Sequence, residues 1–249
     1  MKNDINKGIT QIQYNHLNLP SRIAMVKGSS TSTIDYVYSA SGAKLKVSHK
    51  QSGIGITTTT DYVNGYIFTN NSLSMALTDN GYFTLSGTGV PTYHFYLKDH
   101  QGNNRVVVSQ SGSVEQITHY YPYGGVIGDI STNENLQKYK FEGKELDRTF
   151  GLDNYDIHAR QYFAMMPSWD RIDPLAEKYY GISPYAYCGG DPVNFGDYDG
   201  MDKYALTVSG HIIGLEKDNS QKVILYRKNH PEIQPYEVPD NIQHVIEAQ

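Results

Sequence analysis

Residues 93–108 read YHFYLKDHQGNNRVVV, a stretch that is typical of two antiparallel strands joined by a tight turn. The odd positions from Tyr93 to Leu97 are apolar and the even ones more polar, which is the alternation of a strand with one face on a core. Gln101-Gly102 then supplies the positive φ that a hairpin turn requires. We therefore expect an antiparallel hairpin here, with the odd positions of its first strand facing a core.

Hairpins of the same kind recur through residues 1–125. Further turn signals are Ser41-Gly42, Asn64-Gly65, Asn80-Gly81 and Ser111-Gly112. The strand-like runs around them are Thr10–Tyr14, Ile34–Tyr38, Tyr62–Thr69, Tyr82–Leu85, Arg105–Val108 and Ile117–Tyr121. The theme repeats at roughly 20–25 residues, which indicates stacked supersecondary units that depend on their neighbours. The sequence thus predicts an all-β fold in which antiparallel hairpins stack as a β-strip.

The composition agrees with many short strands and excludes several classes of function. The 249 residues include 22 Tyr and 23 Gly, which favour half-buried strands and tight turns. A net charge of −5 without a Lys/Arg stripe argues against nucleic-acid binding. The N-terminus lacks the apolar region of a signal peptide, and no apolar run approaches the roughly 18 residues of a membrane-spanning helix.

The sequence predicts no metal and no cofactor. Cys188 is the only cysteine, which excludes a disulfide framework within the chain. It has no basic neighbour that would activate its thiol, so we expect a small buried residue. The histidines at positions 94, 100, 119 and 158 do not share the spacing of metal ligands.

The chain changes character after its first hairpins. Residues 126–140 are polar and predict a loop, whereas residues 141–200 are dense in Pro, Asp and aromatic side chains. From Met201 onward the pattern of short hairpins returns, with turn signals at Ser209-Gly210 and Asp218-Asn219.

Five segments stand in a fixed order between residues 93 and 200. They are YHFYLKDHQGNNRVVV (93–108), YYPYGG (120–125), YKFEGKELD (139–147), GLDNYDIHARQYF (151–163) and WDRIDPLAEKYYGISPYAYCGGDPVNFGDYDG (169–200). Together they resemble the Rhs-repeat-associated core, in the form common among Bacteroidetes-type sequences. YNHLNLP at 14–20 is similar to a single YD-type repeat. The chain therefore looks like a C-terminal fragment of an Rhs/YD-repeat protein.

The resemblance implies a β-sheet strip that winds spirally into a hollow shell. In the family the core-associated region closes one end of the shell and cleaves the chain through aspartate chemistry, which releases a variable C-terminal effector, usually a toxin. A chain of this length would form only an incomplete turn or a plug. The implied partners are the remainder of a shell or a C-terminal effector. The implied location is secreted or at a bacterial cell surface, reached through a longer parent chain or a dedicated export system.

The expected organisation has three parts. Residues 1–92 would be YD-repeat-like hairpins, residues 93–200 the Rhs-repeat-associated core, and residues 201–249 a variable tail of short hairpins. The chain opens inside a repeat unit, from which we expect that an N-terminal portion is missing.

Two segments of the core-associated region carry helical signals. Residues 152–166 fit a helical spacing on pattern alone, but the family resemblance favours strand. A short helix is predicted at 174–180, because Asp173 suits the N-cap and Pro174 the first helical position.

Self-cleavage requires two carboxyl groups with different tasks. One activates water or attacks the peptide carbonyl and the other protonates the leaving amide, and neighbouring carboxyls can split their pKa values to do so. The family's motif is a pair of DPxG-like elements, and the matching positions are Asp173 and Asp197, 24 residues apart. Cleavage would fall just after Gly200, either before Met201 or between Met201 and Asp202.

The chain departs from the motif at three positions. Ala176 stands where the first element has Gly, and Tyr198 stands where the second has a Pro that stiffens the turn. Ile172 occupies the place of the basic partner of the first aspartate, which leaves Arg171 as the candidate. In a strand, a shift of one residue turns a side chain to the opposite face. We therefore expect any cleavage to be impaired.

Other interpretations stay open. Asp173 and Asp197 could serve only as turn formers or N-caps. A β-surface binding module would use exposed Tyr to recognise glycans or the surface of another cell. Residues 201–249 could be an active effector, although the histidines at 211, 230 and 244 have no matching Asp/Glu or Cys pattern.

Overall fold

The computed structural model describes residues 3–53 and 57–206 in full, and beyond them the backbone of three strands. The strands are β1 (Ile9–Tyr14), β2 (Pro20–Lys27), β3 (Ser30–Tyr38), β4 (Lys44–Gln51), β5 (Thr57–Val63), β6 (Tyr66–Thr69), β7 (Ser72–Thr78), β8 (Gly81–Leu85), β9 (Pro91–Lys98), β10 (Asn104–Ser109), β11 (Val114–Ile117), β12 (Glu145–Asp147), β13 (Asn154–Ile157), β14 (Arg160–Phe163), β15 (Ser168–Trp169), β16 (Phe195–Gly196), β17 (Tyr204–Leu206), β18 (Ile212–Lys217), β19 (Val223–Arg227) and β20 (Tyr236–Glu237). Short 3-10 turns lie at Gly128–Ile130, Phe141–Gly143, Thr149–Gly151, Ala176–Lys178 and Cys188–Gly190. The predicted all-β class is confirmed. No helix in the described part of the chain has the length and apolar character needed to cross a membrane.

Strands β1 to β11 form one antiparallel sheet in which each strand pairs with its neighbours in sequence. The predicted stack of antiparallel hairpins is thus confirmed. The run Tyr62–Thr69 is divided into β5 and β6, because Asn64 and Gly65 both adopt positive φ and turn the chain. The strand expected at Ile117–Tyr121 is misplaced: β11 comprises Val114–Ile117, and only Ile117 is shared. Beyond it the chain turns, since the N–H of Tyr121 donates to Gly125 O at 2.8 Å.

A second sheet, of strands β12 to β15, follows the strip. Residues 152–166 form the hairpin of β13 and β14 here, so the strand interpretation is confirmed and the helical one is wrong. Tyr155 and Tyr162 lie opposite each other across this hairpin. Their helix-like spacing arises from two strands and the turn at His158, whose φ is 47°.

A third sheet contains strands β16 to β20, each paired with its neighbours in sequence. Its first pair joins Phe195 to Ala205 and Gly196 to Tyr204. The turns predicted at Ser209-Gly210 and Asp218-Asn219 lie outside the described residues.

The helix predicted at 174–180 is reduced to the 3-10 turn Ala176–Lys178, which corrects that expectation. The N-cap of this turn is Leu175, without a side-chain cap, and Asp173 lies just before it, where its Oδ1 accepts the N–H of Leu175 at 2.7 Å. The N–H of Asp173 also donates to Pro184 O at 3.1 Å, so the chain must double back within a few residues. A full helix would carry Pro184 away from Asp173.

The exposed face of β9 is opposite to the one expected. Tyr93, Phe95 and Leu97 are 43%, 46% and 56% exposed, so the expectation that they face a core is wrong. The covered face instead carries His94 and Tyr96, and the Tyr96 hydroxyl donates to Gln137 Oε1 at 3.5 Å. The polar loop at 126–140 covers this face of the strip, and periodicity alone cannot tell which face a later segment will cover.

Buried side chains form two clusters. One joins the strip to the segment that follows it and contains Ile9, Ile23, Met25, Ile34, Tyr36, Val47 and Leu152. The other lies within residues 139–200, named here the compact segment, and contains Phe141, Leu146, Tyr155, Ile157, Tyr162, Ala164, Trp169, Tyr187, Cys188 and Phe195. Tyr155, Tyr162 and Tyr187 of the quoted motifs pack on one another in this second cluster, and Cys188 is buried as expected.

Gly81→Ala is expected to weaken the pairing of β8 and β9. A Cβ at Gly81 would overlap the carbonyl oxygen of His94 and lie 3.0 Å from the Cα of Phe95, so the strands would have to separate. Overpacking of this kind costs about 1–3 kcal/mol, measurable by chemical denaturation. Gly87→Ala, with open space around its Cβ position, is the control, and equal losses in the two variants would contradict the expectation.

Candidate functional site

Arg160 joins the two aspartates that the sequence singled out. It opens β14 directly after the turn at His158, and it is only 1% exposed. Its Nη2 lies 2.9 Å from Asp173 Oδ2 and 3.2 Å from Asp197 Oδ2. Asp173 and Asp197 therefore meet at one guanidinium.

The guanidinium of Arg160 is held on several sides. It packs over the ring of Trp169, with its Cζ 4.1 Å from the ring centroid. Its Nη1 donates to Pro184 O at 3.2 Å, and its Nε donates to Gly200 O at 2.6 Å. Because the guanidinium group of an arginine is planar and rigid, these contacts fix the direction of its N–H donors as well as their position.

The peptide bond between Gly200 and Met201 is held at both ends. Its carbonyl oxygen accepts the hydrogen bond from Arg160 Nε. Its N–H, on Met201, donates to Asp197 Oδ1 at 3.1 Å and to Asp199 Oδ1 at 3.0 Å. The two ends of one peptide unit therefore contact a cation and two carboxyls.

Because Gly200 has no side chain, its backbone can pack directly against the turn between β13 and β14. Its φ is 77°, in the left-handed region that favours glycine. A Cβ there would overlap the carbonyl oxygen of Ile157 and lie 2.9 Å from the backbone nitrogen of Arg160. The N–H of Ala159 donates to Asp199 O at 3.1 Å, so the β13–β14 turn and the loop after β16 are bonded directly.

Arg171, the basic partner suggested by the sequence, lies elsewhere. It forms an ion pair with Asp170 at 2.9 Å, donates to the carbonyl oxygen of Asn18, and packs over the ring of Tyr14. It fastens the compact segment to the first hairpin of the strip.

Arg160 is the residue that the sequence analysis missed. The sequence feature that could have identified it is an arginine that follows the turn at His158 and precedes the apolar residues of the motif GLDNYDIHARQYF. An arginine that follows a turn into a buried strand needs carboxylate partners.

The chain is also held downstream of Gly200. Asp202 Oδ1 accepts hydrogen bonds from Lys178 Nζ at 2.7 Å and from the Tyr179 hydroxyl at 2.6 Å. The Tyr204 hydroxyl donates to Asp199 Oδ2 at 3.0 Å. Together with the pairing of β16 and β17, these contacts keep both sides of the Gly200 carbonyl in place.

The pKa of the Asp197 carboxyl is shifted toward neutral pH. Burial raises its pKa to about 7 and Asp199 adds to the rise, while Arg160 and the N–H groups of Gly200 and Met201 oppose it. A carboxyl with this pKa is present in both protonation states near neutrality, which suits general acid or base catalysis.

Space for water adjoins the cluster. A cavity of about 30 Å³ has Arg160, Asp173, Asp197 and Met201 among its walls. A water molecule needs roughly 10–15 Å³ of such volume and several polar partners, so the cavity can hold one or two. On the other side, Asp173, Asp199 and Met201 also line an open groove of about 690 Å³.

Cys188 and metal binding do not supply a second reactive centre in the described residues. Burial raises the pKa of the Cys188 thiol well above its usual range, which makes it inert. Among the residues that the structure describes, no group of three or more His, Cys, Asp or Glu is arranged to hold a metal ion.

Comparisons of sequence find one partial relative. No known protein-family profile matches the chain. Salivary gland surface protein 1 of Aedes aegypti is 36% identical over 125 residues, which make up 49% of this chain and 4% of that protein. The chain thus spans a small fraction of the length of this relative.

Comparisons of structure find the same fold in toxin complexes. TcdB2-TccC3 matches with a TM-score of 0.65 at 18% identity, over 78% of this chain and 10% of that chain. TcdB2-TccC3 without its hypervariable C-terminal region matches at 0.63 with 19% identity, over 78% and 10%. The Tc holotoxin pore of Photorhabdus luminescens matches at 0.63 with 18% identity, over 77% and 10%. At these identities the likeness shows the fold, and the chain spans a tenth of those chains.

Proposed function

We propose that this chain is a structural segment of an Rhs-type toxin-delivery shell that also cleaves its own backbone between Gly200 and Met201. The observation that carries the cleavage is the arrangement at that peptide bond. Arg160 binds its carbonyl oxygen, and the carboxyls of Asp197 and Asp199 bind its N–H. The cut separates residues 1–200 from residues 201–249.

Arg160 and Asp173 act on the carbonyl group. Arg160 Nε, 2.6 Å from Gly200 O, stabilises the negative charge that develops on this oxygen as water adds to the carbonyl carbon. Asp173, on the wall of the small cavity, takes a proton from the attacking water. A new C–O bond forms, and the carbonyl carbon becomes tetrahedral.

Asp197 acts on the leaving nitrogen. In its protonated form it gives its proton to the nitrogen of Met201, 3.1 Å away, as the C–N bond breaks. The products are a carboxyl group at Gly200 and an amine at Met201. The proton that Asp173 gains equals the proton that Asp197 loses, so the pair is restored by one proton transfer through solvent.

The departure from the family motif at Tyr198 has a local substitute. Tyr198 stands in place of the stiffening proline, but its hydroxyl donates to Gln101 O at 3.2 Å. Lys144 Nζ donates to the carbonyl oxygen of Tyr198 at 2.6 Å. These two hydrogen bonds hold the loop that carries Asp197 in place without the proline ring of the family motif, which supports an active site.

The shell role rests on the fold and on the Rhs resemblance. Residues 1–92 and the Bacteroidetes-type core at 93–200 would form one strip, because β8 and β9 pair across this boundary. Residues 201–249 would be the variable tail. The remainder of a shell and a C-terminal effector are the partners we propose, in a bacterial system that acts outside the cell. A glycan-binding surface is the second candidate: Tyr93, Tyr121, Tyr180 and Tyr185 are exposed, whereas Tyr155, Tyr162 and Tyr187 are buried in the aromatic core, where a glycan cannot reach them.

The full chain is expected to yield two pieces, residues 1–200 and 201–249, in intact-mass spectrometry. Denaturing conditions are needed, because β16 and β17 would hold the pieces together after the cut. Asp173→Asn and Asp197→Asn are expected to stay whole, since loss of an acid or base lowers rates by about 10²–10⁴-fold.

Asp191→Asn is the matched control for this experiment. Asp191 is a turn aspartate that accepts a hydrogen bond from Asn194 Nδ2 at 2.9 Å, and its variant should be cut like the wild type. The proposal fails if the wild type stays whole, or if the two site variants are cut at the wild-type rate.

A further inference from the structure

Glu142 is a buried carboxyl that the cleavage steps do not use. It lies in the 3-10 turn Phe141–Gly143 with a φ of 50°, a left-handed conformation that residues other than glycine seldom adopt. Its Oε1 accepts hydrogen bonds from the Tyr187 hydroxyl at 2.7 Å and from the backbone N–H of Asp197 at 3.3 Å. The strained turn therefore directs a carboxyl at the backbone of Asp197.

The Glu142 carboxyl has little room to move. A Cβ on Gly196 would come within 2.7 Å of Glu142 Oε1 and 3.0 Å of the Tyr198 ring. The second oxygen, Oε2, is buried without a hydrogen-bond partner. A bare buried oxygen is tolerable on a neutral acid and costly on a carboxylate.

Charged and titratable groups face Glu142 from each element around it. They are Lys144 on its own segment, Tyr162 on β14, Tyr187 and Cys188 at the following 3-10 turn, and Asp197 and Tyr198 after β16. Burial raises the pKa of Glu142 to about 8 and the charge of Asp197 adds to the rise, whereas the Tyr187 hydroxyl, Lys144 and the backbone N–H of Asp197 oppose it. Glu142 thus holds its proton at neutral pH.

We propose that Glu142 is the positioning residue of Asp197, and that only its protonated form keeps the Asp197 carboxyl aligned with the nitrogen of Met201. When Glu142 ionises, its Oε2 becomes a buried charged oxygen without a hydrogen-bond partner, a cost that the bonds to Oε1 do not offset. Water entry or a shift of the strained turn solvates this charge, and either one displaces the backbone of Asp197 from its place beside Glu142. The inference rests on the proposed cleavage and adds its control by pH.

The two titrations give the pH profile a distinct shape. Cleavage that needs both protons slows about tenfold per pH unit above the pKa of Asp197, and about a hundredfold per unit once Glu142 also ionises. These transitions lie at about 7 and about 8. Glu142→Gln keeps an oxygen for the same two donors and cannot ionise, so it should slow about tenfold per unit throughout. A purely structural Glu142 would leave the slope unchanged.

The test refolds the full chain from urea between pH 6 and pH 9.5 and follows cleavage by intact mass. Glu177→Gln, which removes an exposed carboxyl, is the control. It should keep the steep limb of the wild-type profile, which is the decline of about a hundredfold per pH unit once Glu142 ionises. Tyr187→Phe removes a donor that lowers the pKa of Glu142, so its steep limb should begin at higher pH. A wild-type profile that never exceeds tenfold per unit, or a steep limb that survives in Glu142→Gln, overturns the inference and leaves the cleavage itself intact. If Glu142→Gln does not refold, the Tyr187→Phe variant decides the test: a shift of its steep decline to higher pH supports the inference, and no shift overturns it.

A second readout does not depend on cleavage. In an uncut Asp173→Asn background, the folded chain keeps the Glu142 proton to about pH 8, whereas the unfolded chain loses it near the ordinary value of 4.5. The folded state therefore binds more protons between these values, and its stability falls as pH rises through this window. Adding Glu142→Gln should remove this fall, so the Tm difference between the two chains should grow from pH 5 to pH 8. A constant difference overturns the inference, while a wild-type chain that stays whole at every pH overturns the cleavage.

Discussion

Arg160→Met is expected to stop cleavage and to lower the free energy of unfolding by about 3–5 kcal/mol. Asp173 and Asp197 would lose the guanidinium between them, and Asp197 is 3% exposed. A buried carboxylate without its cation is costly, because water cannot replace the lost partner. The oxygen of Gly200 would also lose its donor. Chemical denaturation measures the first effect, and intact mass measures the second.

Two further variants separate charge from geometry. Arg160→Lys keeps the charge but loses the fork, so cleavage should slow by about 10²–10³-fold. Arg171→Met removes another buried guanidinium, paired with Asp170, and should destabilise the chain while the cleavage rate of the folded protein stays near that of the wild type. Wild-type cleavage in Arg160→Met would refute the mechanism, and selective loss in Arg171→Met would return the basic role to Arg171.

Phe141→Ala is expected to lower the free energy of unfolding by about 3–5 kcal/mol, the range for a buried aromatic side chain. Phe141 is fully buried, and its ring contacts those of Tyr155, Tyr162 and Tyr187 at centroid distances of 5.9, 6.3 and 5.9 Å. The ring also lies so close to Gly124 that a Cβ there would overlap it, so the surroundings fit the ring tightly. A cavity left by its removal cannot easily collapse.

Phe95→Ala is the matched control for the aromatic core. Phe95 lies on the uncovered face of β9 and is about half exposed, so its loss should cost well under the roughly 3 kcal/mol expected at Phe141. Chemical denaturation compares the two variants directly. A similar cost at both positions would show that the face of Phe95 is covered in solution, contrary to the structure.

Local chemistry made most of the strip predictable. A turn needs positive φ, and the Gly positions at 42, 65, 102 and 112 adopt it in the structure as the sequence indicated. Residues 152–166 were harder, because a hairpin with a short turn can place aromatic residues at a helical spacing. The helix at 174–180 was overestimated for a related reason: an aspartate that accepts the N–H two residues on is found before a short turn as well as before a helix, and the contact of Asp173 with Pro184 accompanies the short turn here.

The candidate site likewise contains residues that the sequence identified and residues that only the folded structure identified. Asp173 and Asp197 were found from motif positions, and their turn-forming and capping tendencies belong to the local sequence. That Arg160 rather than Arg171 meets them depends on the β13–β14 hairpin lying against the loop at Gly200. Glu142 carried no signal at all, because its effect arises from burial and from a backbone bond to a residue 55 positions away.

The hairpin YHFYLKDHQGNNRVVV at 93–108 shows which features the local sequence determines and which depend on tertiary contacts. Its alternation and its Gly turn specify two antiparallel strands, because φ preferences and the two-residue period act within a few residues. They do not specify which face is covered, and Tyr93, Phe95 and Leu97 are exposed because the loop at 126–140 packs on the other side. Strand, turn and cap were therefore properties of the amino-acid order. Burial, the pKa values of Asp197 and Glu142, and the choice of arginine were decided by the tertiary structure, since each depends on segments that only folding brings into contact.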